Sequence, residues 1–242
     1  MILRNTDEPG EFSESLSRVY LTVVLAMSAD GKIADRDRTA ARFSSREDRL
    51  HLETEIAKAD AVLFGAGTLR AYGTCLPVRQ SVLMAQRQAH QKPDQPIQIV
   101  CSRSGEINSN LRFFQQPVPR WLLTTQRGAS KWVQQDKFDR ILSLLHDSTN
   151  WATILQTFLH QGIRKLAVLG GGKLVAELME QNLIDEMHLT ICPLLIGGRT
   201  APTPCDGDGM TVLRAPRLRL VQAKPLGDEV FLHYRRCHRD KD

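Results

Sequence analysis

The sequence predicts an α/β protein, with a mixed, mainly parallel sheet flanked by helices and closed by an antiparallel C-terminal edge. Three observations predict it. Apolar, β-branched runs alternate with helical periods from residue 19 to residue 181. Three strand-like segments then finish the chain with no helix between them. Two of the apolar runs end in glycines that open a helix, at 64–68 (FGAGT) and 168–173 (VLGGGK), as chains do at the carboxyl ends of parallel strands.

The elements follow in order. Residues 19–27 (VYLTVVLAM) are apolar almost throughout and read as a central strand covered on both faces. A helix begins at about Ser45, which has capping-box spacing to Asp48; Leu52, Ile56 and Ala59 then share one face. Ala61–Phe64 is the next strand, and Thr68 is placed to cap a short helix after it. Residues 77–96 are polar and helix-prone and read as a surface excursion. Ile97–Cys101, Trp121–Thr125 and Arg140–Leu145 read as strands. Asn150–Gln161 is a helix, with Ser148 or Thr149 near its cap and Gly162 ending it. Leu166–Leu169 is a strand and Lys173–Gln181 a helix. Glu186–Leu195, Arg217–Ala223 and Glu229–Arg236 are the closing strands. No linker separates two cores, so residues 18–238 form one domain and residues 1–17 a flexible arm.

Composition narrows the function. The 242 residues are 42% hydrophobic and 24% charged, ordinary for a globular protein with a sizeable core. No apolar stretch reaches the roughly 18–20 residues of a membrane span, and the start lacks a signal peptide's basic and apolar regions. The cysteines are five, scattered and never in a C-x-x-C pair, which argues against zinc and disulfides and fits a reducing cytoplasm. The seven histidines show no metal spacing along the chain, so no metal is expected. The net charge of +5 is spread along the sequence without an aromatic-rich basic stripe, which disfavours nucleic acid and leaves an anionic small molecule.

The run Gly170, Gly171, Gly172 between a strand and a helix has a physical use. Without a Cβ the backbone takes φ > 0 and a ligand can lie against it. The helix start presents unpaired N–H groups and partial positive charge, a place for phosphate, and Lys173 adds a formal charge. A tight turn with no ligand is the alternative. The run is neither G-x-G-x-x-G nor a Walker A loop. Gly65 lies in the second glycine turn, and two such turns on neighbouring strands form one crevice.

Four segments, LAMSADGKIA (25–34), ADAVLFGAGTLRAYGTCLPVR (59–79), PIQIVCSRSGEI (96–107) and VLGGGKLVAELMEQNLIDEMHLTICPLLIGG (168–198), come in an order that resembles the RibD C-terminal domain family, the reductase domain of bacterial riboflavin biosynthesis. The resemblance spans residues 19–235. No P-C-x-x-C pattern of the zinc deaminase domain occurs, so a stand-alone reductase is expected. The resemblance implies a dihydrofolate-reductase-like fold and a homodimer. It implies NADPH as cofactor and reduction of the ribosyl group of a phosphoribosylaminopyrimidine to ribityl. By position, Ala26 lies on the nicotinamide side and Thr68 in the second glycine turn. Gly171, Gly172, Lys173 and Leu174 match the stretch around the pyrophosphate, and Ser102, Arg103 and Ser104 the loop near the 2′-phosphate. Leu76 and Arg79 align with substrate-contacting positions. Tyr72 and Gly73 replace the family's acids, Leu169 its glutamate and Ile56 its frequent first-helix arginine. These departures leave room for a paralogous reductase of another pterin-like or carbonyl substrate, or for a nucleotide-binding module without catalysis.

Such a reduction needs a hydride donor held about 3–3.5 Å from carbon, and a proton source. Asp30 and Tyr72 are the candidate acids; a turn aspartate before Gly31 and a surface tyrosine are the alternatives, and water can also donate. Lys32 faces either substrate phosphate or solvent. Arg79 suits bidentate phosphate recognition, and Arg103 between two serines suits the 2′-phosphate; a solvated loop charge and a polar turn are the alternatives. Asp185 and Glu186 read as structural.

Overall fold

The computed structural model describes residues 17–146 and 149–237; Ser148, His238 and all but Ser17 of the expected arm lie outside the described residues. The strands are β1 (Tyr20–Ser28), β2 (Ala61–Gly65), β3 (Ile97–Ser102), β4 (Arg120–Thr124), β5 (Arg140–Ser143), β6 (Lys165–Val168), β7 (Glu186–Cys192), β8 (Leu218–Leu226) and β9 (Glu229–Arg236). The helices are α1 (Arg46–Lys58), α2 (Ala66–Tyr72), α3 (Ser81–Ala89), α4 (Gln126–Ala129), α5 (Trp151–His160) and α6 (Gly172–Glu180). The strands form one sheet in the order β5-β4-β3-β2-β6-β1-β7-β9-β8. All pairings from β5 to β7 are parallel; β9 pairs antiparallel with β7 and with β8.

Period-two alternation explains why the central parallel strands carry apolar residues on both faces. Leu63, Ile99, Leu123, Leu166 and Val168 pack with Trp151, Ile154 and Phe158 of α5 and Val175 and Leu178 of α6. Val62, Phe64, Val100, Leu122 and Ala167 point the other way, onto Ile56 of α1, Leu69 of α2 and Leu83 of α3. Helices therefore cover both faces, as a parallel sheet requires.

Several local expectations change. Thr68 does not cap α2: Gly65 holds that position without a side-chain bond, and Thr68 sits in the first turn of the helix. Asn150, not Thr149, caps α5 by accepting from Thr153 N at 3.2 Å. Ser45 caps α1 and accepts from Asp48 N, but the reciprocal acceptor is Glu229 from β9, which takes the Ser45 amide at 2.8 Å. A long-range carboxylate thus completes what a local motif was expected to supply. The segment 77–96 is no free excursion: Leu83 is buried, and the buried Arg87 donates to the carbonyls of Ala57, Ala59 and Pro93. The seventh strand stops at Cys192, before Pro193. Asp185 is structural as expected, accepting from Leu21 N at 2.9 Å and pairing with Arg18.

Candidate active site

Because β1, β2, β3 and β6 run parallel, their carboxyl ends share one edge of the sheet. β6 lies between β1 and β2, so the two glycine turns become neighbours. The Gly65 amide donates to the Gly170 carbonyl at 3.0 Å, and the Gly170–Gly171 peptide is cis. β1 pairs with β6 only as far as Val23, then continues to Ser28. Its last residues, including the half-buried Ala26, therefore run past the end of β6 and wall the crevice on that side.

The three glycines do different work. Gly170 has φ +96°, a conformation that L side chains rarely adopt, and a Cβ there would lie 3.1 Å from Leu25 Cδ2. Gly172 is covered: a Cβ there would stand 2.3 Å from the Thr203 carbonyl oxygen, and Asp206 N donates to the Gly172 carbonyl at 3.1 Å. Gly171 is open. Its φ of −70° suits any residue, and the atom nearest a would-be Cβ is Thr68 Oγ1 at 3.9 Å. Of the three, Gly171 alone presents a bare, open backbone.

Gly171 also begins α6 without a side-chain cap. Among the described residues, the amides of Gly171, Gly172 and Lys173 donate to no acceptor, and the Thr68 hydroxyl makes no hydrogen bond. Lys173 is exposed and Leu174 buried in the core. An uncapped helix start, an idle hydroxyl and a bare Cα fit an anionic diphosphate.

At the end of β3, Ser102 is buried and Arg103 exposed. The Arg103 guanidinium pairs with Glu177 of α6 at 2.9 Å, and Glu177 also accepts from Trp151 Nε1. Thr125 Oγ1 donates to the Arg103 carbonyl, and Trp132 Nε1 to that of Gly105. The loop is thus pinned by the residues that flank α4, an element not expected from the sequence. Ser104 accepts from the Glu106 amide.

Asp30 accepts from Ser28 Oγ at 2.6 Å and from the amides of Ile196 and Gly197 at 3.0 and 2.6 Å. These bonds, Ser28's first, hold its pKa down to about 2. Such a carboxylate anchors the 193–198 loop and has no proton to give at neutral pH, so the donor role expected of Asp30 is not favoured. Ser28, missed in the sequence, is the hub: fully buried, it also accepts from Lys32 N. Lys32 Nζ reaches the Ala201 carbonyl at 3.4 Å. Tyr72 Oη donates to the Ala41 carbonyl at 2.9 Å, and desolvation raises its pKa, so it stays protonated.

Leu76 packs partly buried against the α1–α3 core. Arg79 is exposed, while its amide and that of Gln80 donate to the buried Glu53, which sets the position of this segment. Two departures acquire local reasons. Gly73 is the C-cap of α2 at φ +69°, where an acid would be strained, and Ile56 is fully buried in the core. Leu169 is partly buried against the same core as Leu76. A separate concavity lined by Arg214, Arg217 and Arg236 lies at the far end of α6 and shares no residue with the crevice.

Two adjoining glycine turns at the carboxyl edge of a mainly parallel sheet, with an uncapped helix start beside them, define an α/β protein built around a dinucleotide-type crevice. Residues 19–232 match the RibD C-terminal domain, and the chain belongs to that family. It is 30% identical over 220 residues to the 2,5-diamino-6-ribosylamino-4(3H)-pyrimidinone 5′-phosphate reductase of Archaeoglobus fulgidus, covering 90% of this chain and 100% of that one. It is 28% identical to the riboflavin biosynthesis protein RibD of Escherichia coli, over 88% of this chain and 59% of that one. In structure it is similar to a pyrimidine reductase-like protein from Corynebacterium diphtheriae, with TM-score 0.77 at 19% identity over 91% and 92% of the two chains. It is also similar to the Saccharomyces reductase Rib7, with TM-score 0.66 at 14% identity over 91% and 90%. The fold is dihydrofolate-reductase-like, as the resemblance implied. At family level this is an oxidoreductase of riboflavin biosynthesis. No helix among the described residues is long and apolar enough to cross a membrane.

Proposed function

We propose that the chain is an NADPH-dependent reductase that converts the ribosyl side chain of a phosphoribosylaminopyrimidine to ribityl. Its substrate is 5-amino-6-(5-phosphoribosylamino)uracil or the diamino-pyrimidinone before it. The carrying observation is Gly171, open toward the crevice and flanked by unpaired amides and the Thr68 hydroxyl. Gly171, the unpaired amides of Gly172 and Lys173 and the Thr68 hydroxyl would hold the diphosphate, with Gly65 and Gly170 shaping the turn and Leu174 anchoring it in the core; Ala26 would border the nicotinamide, and Ser102 with Arg103 would receive the 2′-phosphate. When bound, the dihydronicotinamide supplies the hydride.

The chain's own residues position and neutralise. Arg79, held at its backbone by Glu53, takes the substrate phosphate, with Lys32 and Leu76 bordering the same site. Asp30 fixes the 193–198 loop through Ile196 and Gly197. The proton comes from Tyr72, released from Ala41, or from water. The exposed edge strand β8, with Leu218, Leu220 and Val221 each about half exposed, supports a homodimer.

The test is NADPH oxidation in the presence of each pyrimidine. Turnover of either supports the proposal and identifies the substrate. NADPH binding with turnover of neither overturns the substrate assignment and favours the paralogous reductase, which Tyr72 and Leu169 also support.

A further inference from the structure

The fold assembles a second cluster of chemistry-bearing side chains that the reductase proposal does not use. His51 and Glu55 stand four residues apart on α1 and so share one face of the helix. That face lies over β7 and β9, where His188 and His233 are cross-strand partners with rings stacked at 4.2 Å. Glu186, two residues before His188 on β7, projects from the same face of the sheet.

Glu55 Oε1 takes Lys58 Nζ at 2.7 Å, and Glu186 Oε1 takes Arg235 at 2.8 and 3.0 Å. Their other oxygens, Oε2, point at His188 Nε2 from 4.0 and 3.9 Å, beyond hydrogen-bond reach. His188 is buried, its side chain 10% exposed, so the polar atom at the centre of the cluster is held off from both acids. Ligand atoms of His51, Glu55 and His188 all lie within 4.8 Å of one another. Around an ion with bonds of about 2.0–2.1 Å, tetrahedral ligand atoms stand ~3.4 Å apart. The 4.0 Å separation of His188 from Glu55 therefore needs to close by only about half an ångström around such an ion.

We propose that His51, Glu55 and His188 form a binding site for a divalent transition ion of the zinc class, with a fourth position left to water or to Glu186 Oε2. Two imidazoles and a carboxylate suit zinc better than calcium or magnesium, which prefer all-oxygen shells. The alternative triad of Glu186, His188 and His233 shares His188, and its Glu186 takes two bonds from Arg235 where Glu55 takes one from Lys58, so it is the more encumbered site. The ion ties α1 to the β7–β9 pair, joining residues more than 130 positions apart in sequence.

The test uses the full chain, stripped with a chelator and dialysed against zinc chloride. The site predicts about one zinc per chain by elemental analysis, and a Tm rise of roughly 5 °C at a hundredfold excess over Kd. Cobalt substituted for zinc shows tetrahedral visible bands without a thiolate charge-transfer band. Glu55→Gln and His51→Gln, both at the edge of the cluster, lose the ion and the Tm rise while the stripped forms melt like the stripped parent. A parent that binds less than a tenth of an equivalent overturns the proposal. So does zinc that stays in both variants, or cobalt bands of cysteine origin. If the variants melt below the parent when stripped, His188→Asn takes their place; retention of the ion by that variant is likewise contrary.

Discussion

The amide of Gly65 donates to the carbonyl of Gly170 at 3.0 Å, fastening the glycine turn after β2 to the one after β6. The two turns are 105 residues apart in sequence, yet they form one wall of the crevice. With the β2–β6 pairing and the Leu169 amide on the Leu63 carbonyl, this bond sets Thr68 beside Gly171, and the cofactor proposal depends on that placement.

The neighbouring glycines separate fold from function. Gly172→Ala places a Cβ against the Thr203 carbonyl, a backbone atom that cannot swing away. Its expected cost is about 1–3 kcal/mol of stability, read as a lowered Tm. A Gly172→Ala protein as stable as the parent would show that the 203–206 segment does not lie on the start of α6.

Arg87 tests the segment that sequence reading placed on the surface. Arg87→Met keeps the apolar stem and leaves the carbonyls of Ala57, Ala59 and Pro93 without their buried donor. A loss of about 3 kcal/mol in denaturant unfolding is expected. A change below half a kilocalorie would return this segment to the solvent.

Most of the fold was legible because its signals are local. The alternation of Val62, Leu63 and Phe64 between two cores follows from period two, and the glycine turns announce themselves as strand ends. What the sequence could not divide was the labour of Gly170, Gly171 and Gly172, because the covering residues Thr203 and Asp206 come thirty positions later and carry no motif. The same limit hid Glu177 from Arg103 and Glu229 from Ser45. The histidines showed no ligand spacing for the same reason: His51 and His188 meet only because α1 lies over β7. Ser28 was readable in SADGK, where Asp30 drew attention from the hydroxyl that holds it.

Arg103→Ala removes the guanidinium expected at the 2′-phosphate. The variant should lose roughly tenfold in NADPH affinity and far less for NADH, measured by titration of each. Glu177→Gln, which removes the Arg103–Glu177 ion pair, should not weaken NADPH binding. Equal losses for NADPH and NADH would remove Arg103 from cofactor selection.

Asp30 gives a pH prediction. Its pKa lies below that of a free aspartate, so its contribution to the 193–198 loop is complete above about pH 4 and fades as pH falls toward 2. Between pH 5 and 9 the rate should carry no inflection from Asp30. Asp30→Asn should therefore leave the shape of the pH–rate profile unchanged while lowering its height. A limb that disappears in Asp30→Asn would restore the aspartate as proton donor.

The most direct measurement is the NADPH dissociation constant of Gly171→Val, taken beside its Tm. The backbone at Gly171 accepts any side chain and no atom lies within 3.9 Å of the new Cβ, so the variant should fold with a Tm near that of the parent. Branched carbons in the crevice should crowd the diphosphate and weaken NADPH by roughly tenfold or more. A folded variant that binds NADPH as tightly as the parent would contradict the assignment of this turn to the cofactor.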